Sequence, residues 1–208
     1  MSAILFLIPK EYKMEDIRIC FVGDSFVNGT GDPEKLGWAG RLCALSESSE
    51  REITSYNLGI RGDTSSHILE RWERECAARL PESCDRRLVL SFGVNDCVME
   101  NGLCEMESGK STDNAHIILS RAAKRYKTLM IGPPPIDDEA INARTRNLDT
   151  ALAELCRDLN IPYLSVFESL LATPVWMEEV ASNDGAHPRA KGYAHLAHLI
   201  RDWEGWWF

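Results

Sequence analysis

Apolar residues gather in five short runs: 17–22 (IRICFV), 53–58 (ITSYNL), 88–92 (LVLSF), 129–132 (LMIG) and 163–166 (YLSV). Each has strand length, and aliphatic and β-branched residues dominate. Between them lie longer segments of helical period, at 37–46, 64–80, 112–126, 138–159 and 190–203. In the second of these, Ile68, Leu69, Trp72, Cys76 and Leu80 recur at three- and four-residue steps, while Glu and Arg fill the other face. That pattern predicts an amphipathic helix lying on a sheet. Strand and helix alternate, and the strand runs are almost continuously apolar. A parallel sheet covered on both faces produces that pattern. Right-handed crossovers then restrict the topology to a doubly wound α/β sandwich.

In such a sheet the ligand crevice lies at the carboxyl ends of the strands. The segments that follow the first four runs are Gly23-Asp24-Ser25, Gly59-Ile60-Arg61-Gly62-Asp63, Gly93-Val94-Asn95-Asp96 and Pro133-Pro134-Pro135. All four are expected on one edge. The 208 residues, 44% of them hydrophobic, suit one domain over 1–208, with a core from about 17 to 203 and an N-terminal extension at 1–16. No internal repeat, low-complexity tract or linker divides the chain.

Charge and cysteine content narrow the function. A net charge of −9 and a pI near 5.1 disfavour binding to nucleic acid or to an anionic membrane surface. Seven scattered cysteines, without a C-x-x-C pair, suit reduced thiols in a cytoplasmic protein better than a disulfide framework or a zinc site. The apolar stretch 3–8, ended by Pro9, has no basic leader and is far shorter than the ~20 residues that span a bilayer. It is expected to form an extra edge strand or a packed arm.

The candidate chemistry begins at Ser25, at the tip of the turn after the first run. A serine hydroxyl is a weak nucleophile until an adjacent base takes its proton. Far downstream, Asp184-Gly185-Ala186-His187-Pro188 supplies an imidazole and a carboxylate in one loop before a helix. His187 is the candidate base, and Asp184 the group that orients it. Acyl transfer also needs donors for a developing oxyanion. The candidates are the Ser25 N–H, the Gly62 N–H and the Asn95 side-chain amide. Each piece also has a plainer reading: Asn95-Asp96 as a turn and cap, Gly62-Asp63-Thr64 as a helix start.

Taken together, Gly23-Asp24-Ser25-Phe26, the segment Asn57 to Thr64, Gly93-Val94-Asn95-Asp96 and Asp184-Gly185-Ala186-His187-Pro188 resemble the four sequence blocks of the GDSL, or SGNH, hydrolase family. Order and spacing agree from about residue 17 to about 203. The family's four named residues fall on Ser25, Gly62, Asn95 and His187. Gly59 is a rival for the glycine role, and the closer match through Gly-Asp-Thr favours Gly62. Phe26 stands where the family name has leucine. The resemblance implies a flavodoxin-like three-layer α/β/α sandwich of about five strands, a Ser25-His187-Asp184 triad and a three-donor oxyanion hole, with no metal and no cofactor. It implies a serine esterase or lipase acting on a small carboxylic ester. A carbohydrate O-deacetylase or a thioesterase would use the same residues. An anion-binding module is the non-enzymatic alternative, and the Asp184–His187 pair argues against it.

The expected surroundings of the site are less definite. Segment 97–110, with Met99, Leu103 and Met106, is expected as a mobile pocket wall, and Val175-Trp176-Met177 as a second wall. The aromatic tail Trp203, Trp206, Trp207 and Phe208 is expected to pack on the body of the protein, with a homodimer contact or a wall of the substrate pocket as the alternatives.

Overall fold

A computed structural model of the protein describes residues 15–99, 103–107 and 109–208; the apolar stretch at 3–8 lies outside them. Strands β1 (Glu15–Gly23), β2 (Arg51–Gly59), β3 (Asp85–Ser91), β4 (Lys127–Ile131) and β5 (Tyr163–Leu164) form one sheet in the order β2-β1-β3-β4-β5. Every pairing is parallel. Each apolar run of the sequence contributes to one strand, and the first three strands begin two or three residues earlier than their runs.

The sheet is covered on both sides. Ile17, Ile19 and Phe21 of β1 pack on one face with Trp38 and Leu42 of α2 (Gly37–Ser46) and Tyr193 and Ile200 of α8 (Ala190–Arg201). Cys20 and Val22 point to the other face. There they meet Trp72 of α3 (Ser65–Ala77), Ile118 of α4 (Lys110–Ala122) and Leu152 of α5 (Glu139–Asp158). Successive side chains of a strand point to opposite faces, so burial on both sides requires an almost unbroken apolar run. The predicted three-layer sandwich is therefore the observed one.

Short helices escaped the sequence pattern: α1 (Ser25–Asn28), α6 (Phe167–Leu171) and α7 (Pro174–Ser182), with a 3-10 turn at Asn95–Cys97. One or two turns carry too few positions to display a period. In α7, Pro174 sits at the start of the helix, where its missing N–H costs nothing. This helix corrects the expectation for Trp176. The indole is fully buried and donates from Nε1 to Pro135 O at 3.0 Å, so it belongs to the core and not to a pocket wall. The aromatic tail packs inward as expected. Trp206 Nε1 donates to Ser46 Oγ at 3.0 Å, and the Arg87 guanidinium lies over both Trp207 and Phe208. All seven cysteines are free thiols. Among the described residues no helix is long and apolar enough to cross a membrane.

Trp72 is fully buried under the sheet, and its Nε1–H has no hydrogen-bond partner among the described residues. Trp72→Ala is expected to cost ~3–5 kcal/mol in urea unfolding. Trp72→Phe should cost much less, because it also removes a buried orphan donor that costs ~1–3 kcal/mol.

Candidate active site

The turn that carries Ser25 is built by close approach. A Cβ on Gly23 would lie 1.9 Å from Ser91 O, so only glycine lets β1 end beside β3 at this point. Asp24 then caps α1, its Oδ1 accepting from Phe26 N at 2.9 Å. Asn57 of β2 holds the far end of the turn, donating from Nδ2 to Val27 O at 2.7 Å. Ser25, the first residue of α1, is buried, and its Oγ lies 2.7 Å from His187 Nε2. On the other side of the ring, His187 Nδ1 lies 2.8 Å from Asp184 Oδ2. Asp184 Oδ1 also accepts the backbone N–H groups of Ala186 (3.1 Å) and His187 (2.8 Å), which fixes carboxylate and imidazole in one small turn. Gly185 allows that turn by adopting φ +78°. Phe26 packs its ring 5.0 Å from the imidazole centroid, with Trp176 stacked behind it. A bulkier residue in place of leucine thus supports the imidazole.

The other candidate oxyanion donors, Gly62 and Asn95, lie in the loops that follow β2 and β3. Gly62 and Asn95 line one cleft of about 520 Å³. Asn95 Nδ2 donates one hydrogen to Asp63 O at 2.9 Å, which leaves its second N–H for a ligand. The two candidate glycines differ sharply. A Cβ on Gly59 would strike Asn28 N at 2.2 Å and Asp24 O at 2.7 Å, so this glycine serves the packing of α1 on β2. Gly62, at φ +86°, would meet nothing within 4 Å and faces open space. Asp96, beside Asn95, accepts from Ser65 N at 3.0 Å and caps α3, so the cap reading of that dipeptide also holds.

Residues 21–195 match the GDSL-like Lipase/Acylhydrolase family. The chain belongs to this family. A curated arylesterase from Vibrio mimicus is 22% identical, over 96% of this chain and 94% of its own. The lipase/acylhydrolase from Enterococcus faecalis superposes with a TM-score of 0.72 at 23% identity, covering 89% of this chain and 93% of that one. Axe2, an acetylxylan esterase from Geobacillus stearothermophilus, gives a TM-score of 0.72 at 17% identity, covering 92% and 97%. Catalytic mutants of Axe2 replace a serine, an aspartate and a histidine, the last two three positions apart.

Arg71 of α3 is the residue of this GDSL-type chain that the sequence pattern does not single out. Its Nη2 donates to Gly23 O at 2.9 Å, and its Nε donates to Asp63 Oδ2 at 2.6 Å. Asp63 in turn takes the Asn95 amide on its carbonyl. One guanidinium therefore ties the ends of β1, β2 and β3 together. Its sequence signature, an arginine on the polar face of an amphipathic helix, is that of any solvated residue. In segment 97–110, residues 100–102 and 108 lie outside the described ones. Val98, Leu103 and Cys104 line the cleft. Met106 is partly buried against the core beneath and does not line it.

The pKa values of Asp184 and Asp24 are shifted in opposite directions. Partial burial raises the pKa of Asp184, but the His187 N–H, the His187 ring and the Ala186 N–H outweigh it and hold the group at about 2. Burial pushes Asp24 up to about 7 against the single hydrogen bond from Phe26, and the nearby Asp96 and Asp63 push the same way. Asp24 Oδ2 has no partner among the described residues. In the unfolded chain Asp24 loses its proton near pH ~4, but in the folded protein it keeps it to about 7. Its contribution to stability is therefore greatest at acid pH and falls as pH rises through that window. Asp24→Asn keeps the Oδ1 acceptor and has no proton to lose. Its unfolding free energy is expected to match wild type near pH 4 and to exceed it at pH 8, by an amount on the order of 4 kcal/mol. A constant offset between the two across pH would contradict this.

Proposed function

We propose that this chain is a serine esterase that cleaves carboxylic esters through an acyl-enzyme. The hydrogen-bonded series from Ser25 Oγ to His187 Nε2 at 2.7 Å, and from His187 Nδ1 to Asp184 Oδ2 at 2.8 Å, carries the reading. Ser25 attacks the ester carbonyl carbon while His187 takes its proton. The carbonyl oxygen becomes an oxyanion, and the Ser25 N–H, the Gly62 N–H and the Asn95 amide donate to it. Asp184, ionised throughout, holds the proton on Nδ1 and stabilises the imidazolium. The tetrahedral adduct collapses, the bond to the leaving oxygen breaks, and His187 returns the proton to the departing alcohol. Water then enters by the same route in reverse order, with His187 as base, and releases the acid.

Membership of the family, and the arylesterase and acetylxylan esterase among its relatives, support an ester substrate. Val98 and Leu103 on the oxyanion-side cleft suit a short or medium acyl group. Thr64, His67 and Lys110 on the same cleft favour a second reading, removal of acetyl groups from a carbohydrate.

Ser25→Ala is expected to lower kcat on p-nitrophenyl acetate by at least ~10³-fold, with an unchanged unfolding midpoint. Wild-type activity should fall on acidification, because a protonated imidazole cannot accept the serine proton. A Ser25→Ala variant that keeps most of the activity would overturn the assignment.

A further inference from the structure

A second cleft, of about 560 Å³, is walled by Asn28, Gly29, Thr30, Gly31, Lys35 and Arg61. It lies on the imidazole side of the site. A Cβ on Gly31 would come within 3.2 Å of His187 Cβ, and Arg61 Nη2 lies 3.8 Å from Asp184 Oδ2. Resting on the esterase reading, we propose that this cleft receives the alcohol portion of the ester and that Lys35 and Arg61 bind an anionic group on it. The preferred substrates are then esters of alcohols or phenols that carry a carboxylate or a phosphate.

The two cations are the first argument. This wall contains no acidic side chain. Lys35 is exposed and, among the described residues, makes no ion pair, because Arg41 binds both nearby acids, Asp32 and Glu34. Arg61 has only the long contact to Asp184. The oxygens of Asp184 are already taken by the His187 ring and two backbone N–H groups, so the guanidinium, 69% exposed, stays open to a ligand. Two cations without close partners stand out beside the site of a chain with a net charge of −9.

The placement of Lys35 is the second argument. Its φ of +61° is a left-handed conformation that costs a lysine ~1–2 kcal/mol. Asp32 imposes it by accepting the N–H groups of Glu34 and Leu36, each at 3.1 Å, and of Gly37 at 2.8 Å. The loop is held in a shape that sets the ammonium at the rim of the cleft.

The third argument is the order of the reaction. The leaving oxygen takes its proton from His187 Nε2, so the alcohol departs on the imidazole side. Gly62 and Asn95 open into the first cleft, where Val98, Leu103 and Cys104 form an apolar stretch for the acyl group beside the polar Thr64, His67, Glu105 and Lys110. The chemistry of the two clefts therefore matches the two halves of such an ester.

The test compares 3-acetoxybenzoate with phenyl acetate. Each kcat/KM is divided by the rate constant for hydroxide hydrolysis of the same ester, which removes the difference in leaving-group reactivity. The normalised ratio, anionic over neutral, is expected to be roughly tenfold in wild type and to fall with added salt. Arg61→Gln should lower it by roughly tenfold and Lys35→Asn by roughly threefold. Asparagine is chosen because it enters the left-handed region more readily than most residues. Taking the ratio cancels any effect of Arg61→Gln that passes through Asp184. A wild-type ratio of one or below, or a ratio unmoved by both substitutions, would overturn the proposal. Binding of both esters to Ser25→Ala, followed by NMR titration, separates the two readings. If wild type hydrolyses neither ester, the esterase reading fails. Tighter binding of 3-acetoxybenzoate than of phenyl acetate, lost when Arg61→Gln is added, then still supports the anionic cleft, and equal binding overturns it.

Discussion

Register along β1 governs the rest of the molecule. β1 is paired on both sides, and Gly23 sits level with Gly59 of β2 and with Ser91 of β3. Three strands therefore end at the same height, and their loops emerge side by side where the strand order reverses. Through that alignment the loops that carry Ser25, Gly62 and Asn95, far apart in sequence, leave neighbouring strands at one level. A parallel sheet alone would bring them to one edge; the register brings them to one place.

Polar bonds under the loops then hold the alignment. Arg71 joins Gly23 O to the Asp63 carboxylate, and Asp63 passes the connection to Asn95 through its carbonyl. Asn57 and Asp24 secure the turn that carries Ser25. Asp24, Asp63 and Arg71 are buried or nearly so, and there a satisfied hydrogen bond specifies geometry strongly and an unsatisfied one is costly. Asp24 shows both sides of that rule: one oxygen caps the helix, while the other stays unpartnered and keeps the carboxyl protonated well above its ordinary range. Asp184, at the rim and surrounded by donors, stays ionised. Burial thus raises the pKa of the carboxyl that caps the turn, and the donors around Asp184 lower that of the carboxyl beside His187.

Much of this was legible in the sequence because burial on two faces leaves unbroken apolar runs, and sheet-covering helices leave a clear period. Ser25, Asp184 and His187 were legible because each lies in a short motif at the end of an element. Gly62 was favoured over Gly59 by its Gly-Asp-Thr context, and the structure adds a physical difference: the Cβ position of Gly59 is filled by α1, while that of Gly62 is open. Trp176 differs from its expected place because an apolar residue beside a loop resembles a wall when the helix that turns it inward has only nine residues. Arg71, Lys35 and Arg61 look like ordinary surface charges, and only the fold reveals what lies opposite them.

Labelling with a serine-directed fluorophosphonate, followed by mass mapping of the peptides, tests the assignment of the nucleophile most directly. The expected result is a single adduct, on Ser25, whose formation slows sharply in His187→Ala. No adduct, or an adduct on another residue with Ser25 unmodified, would contradict the assignment.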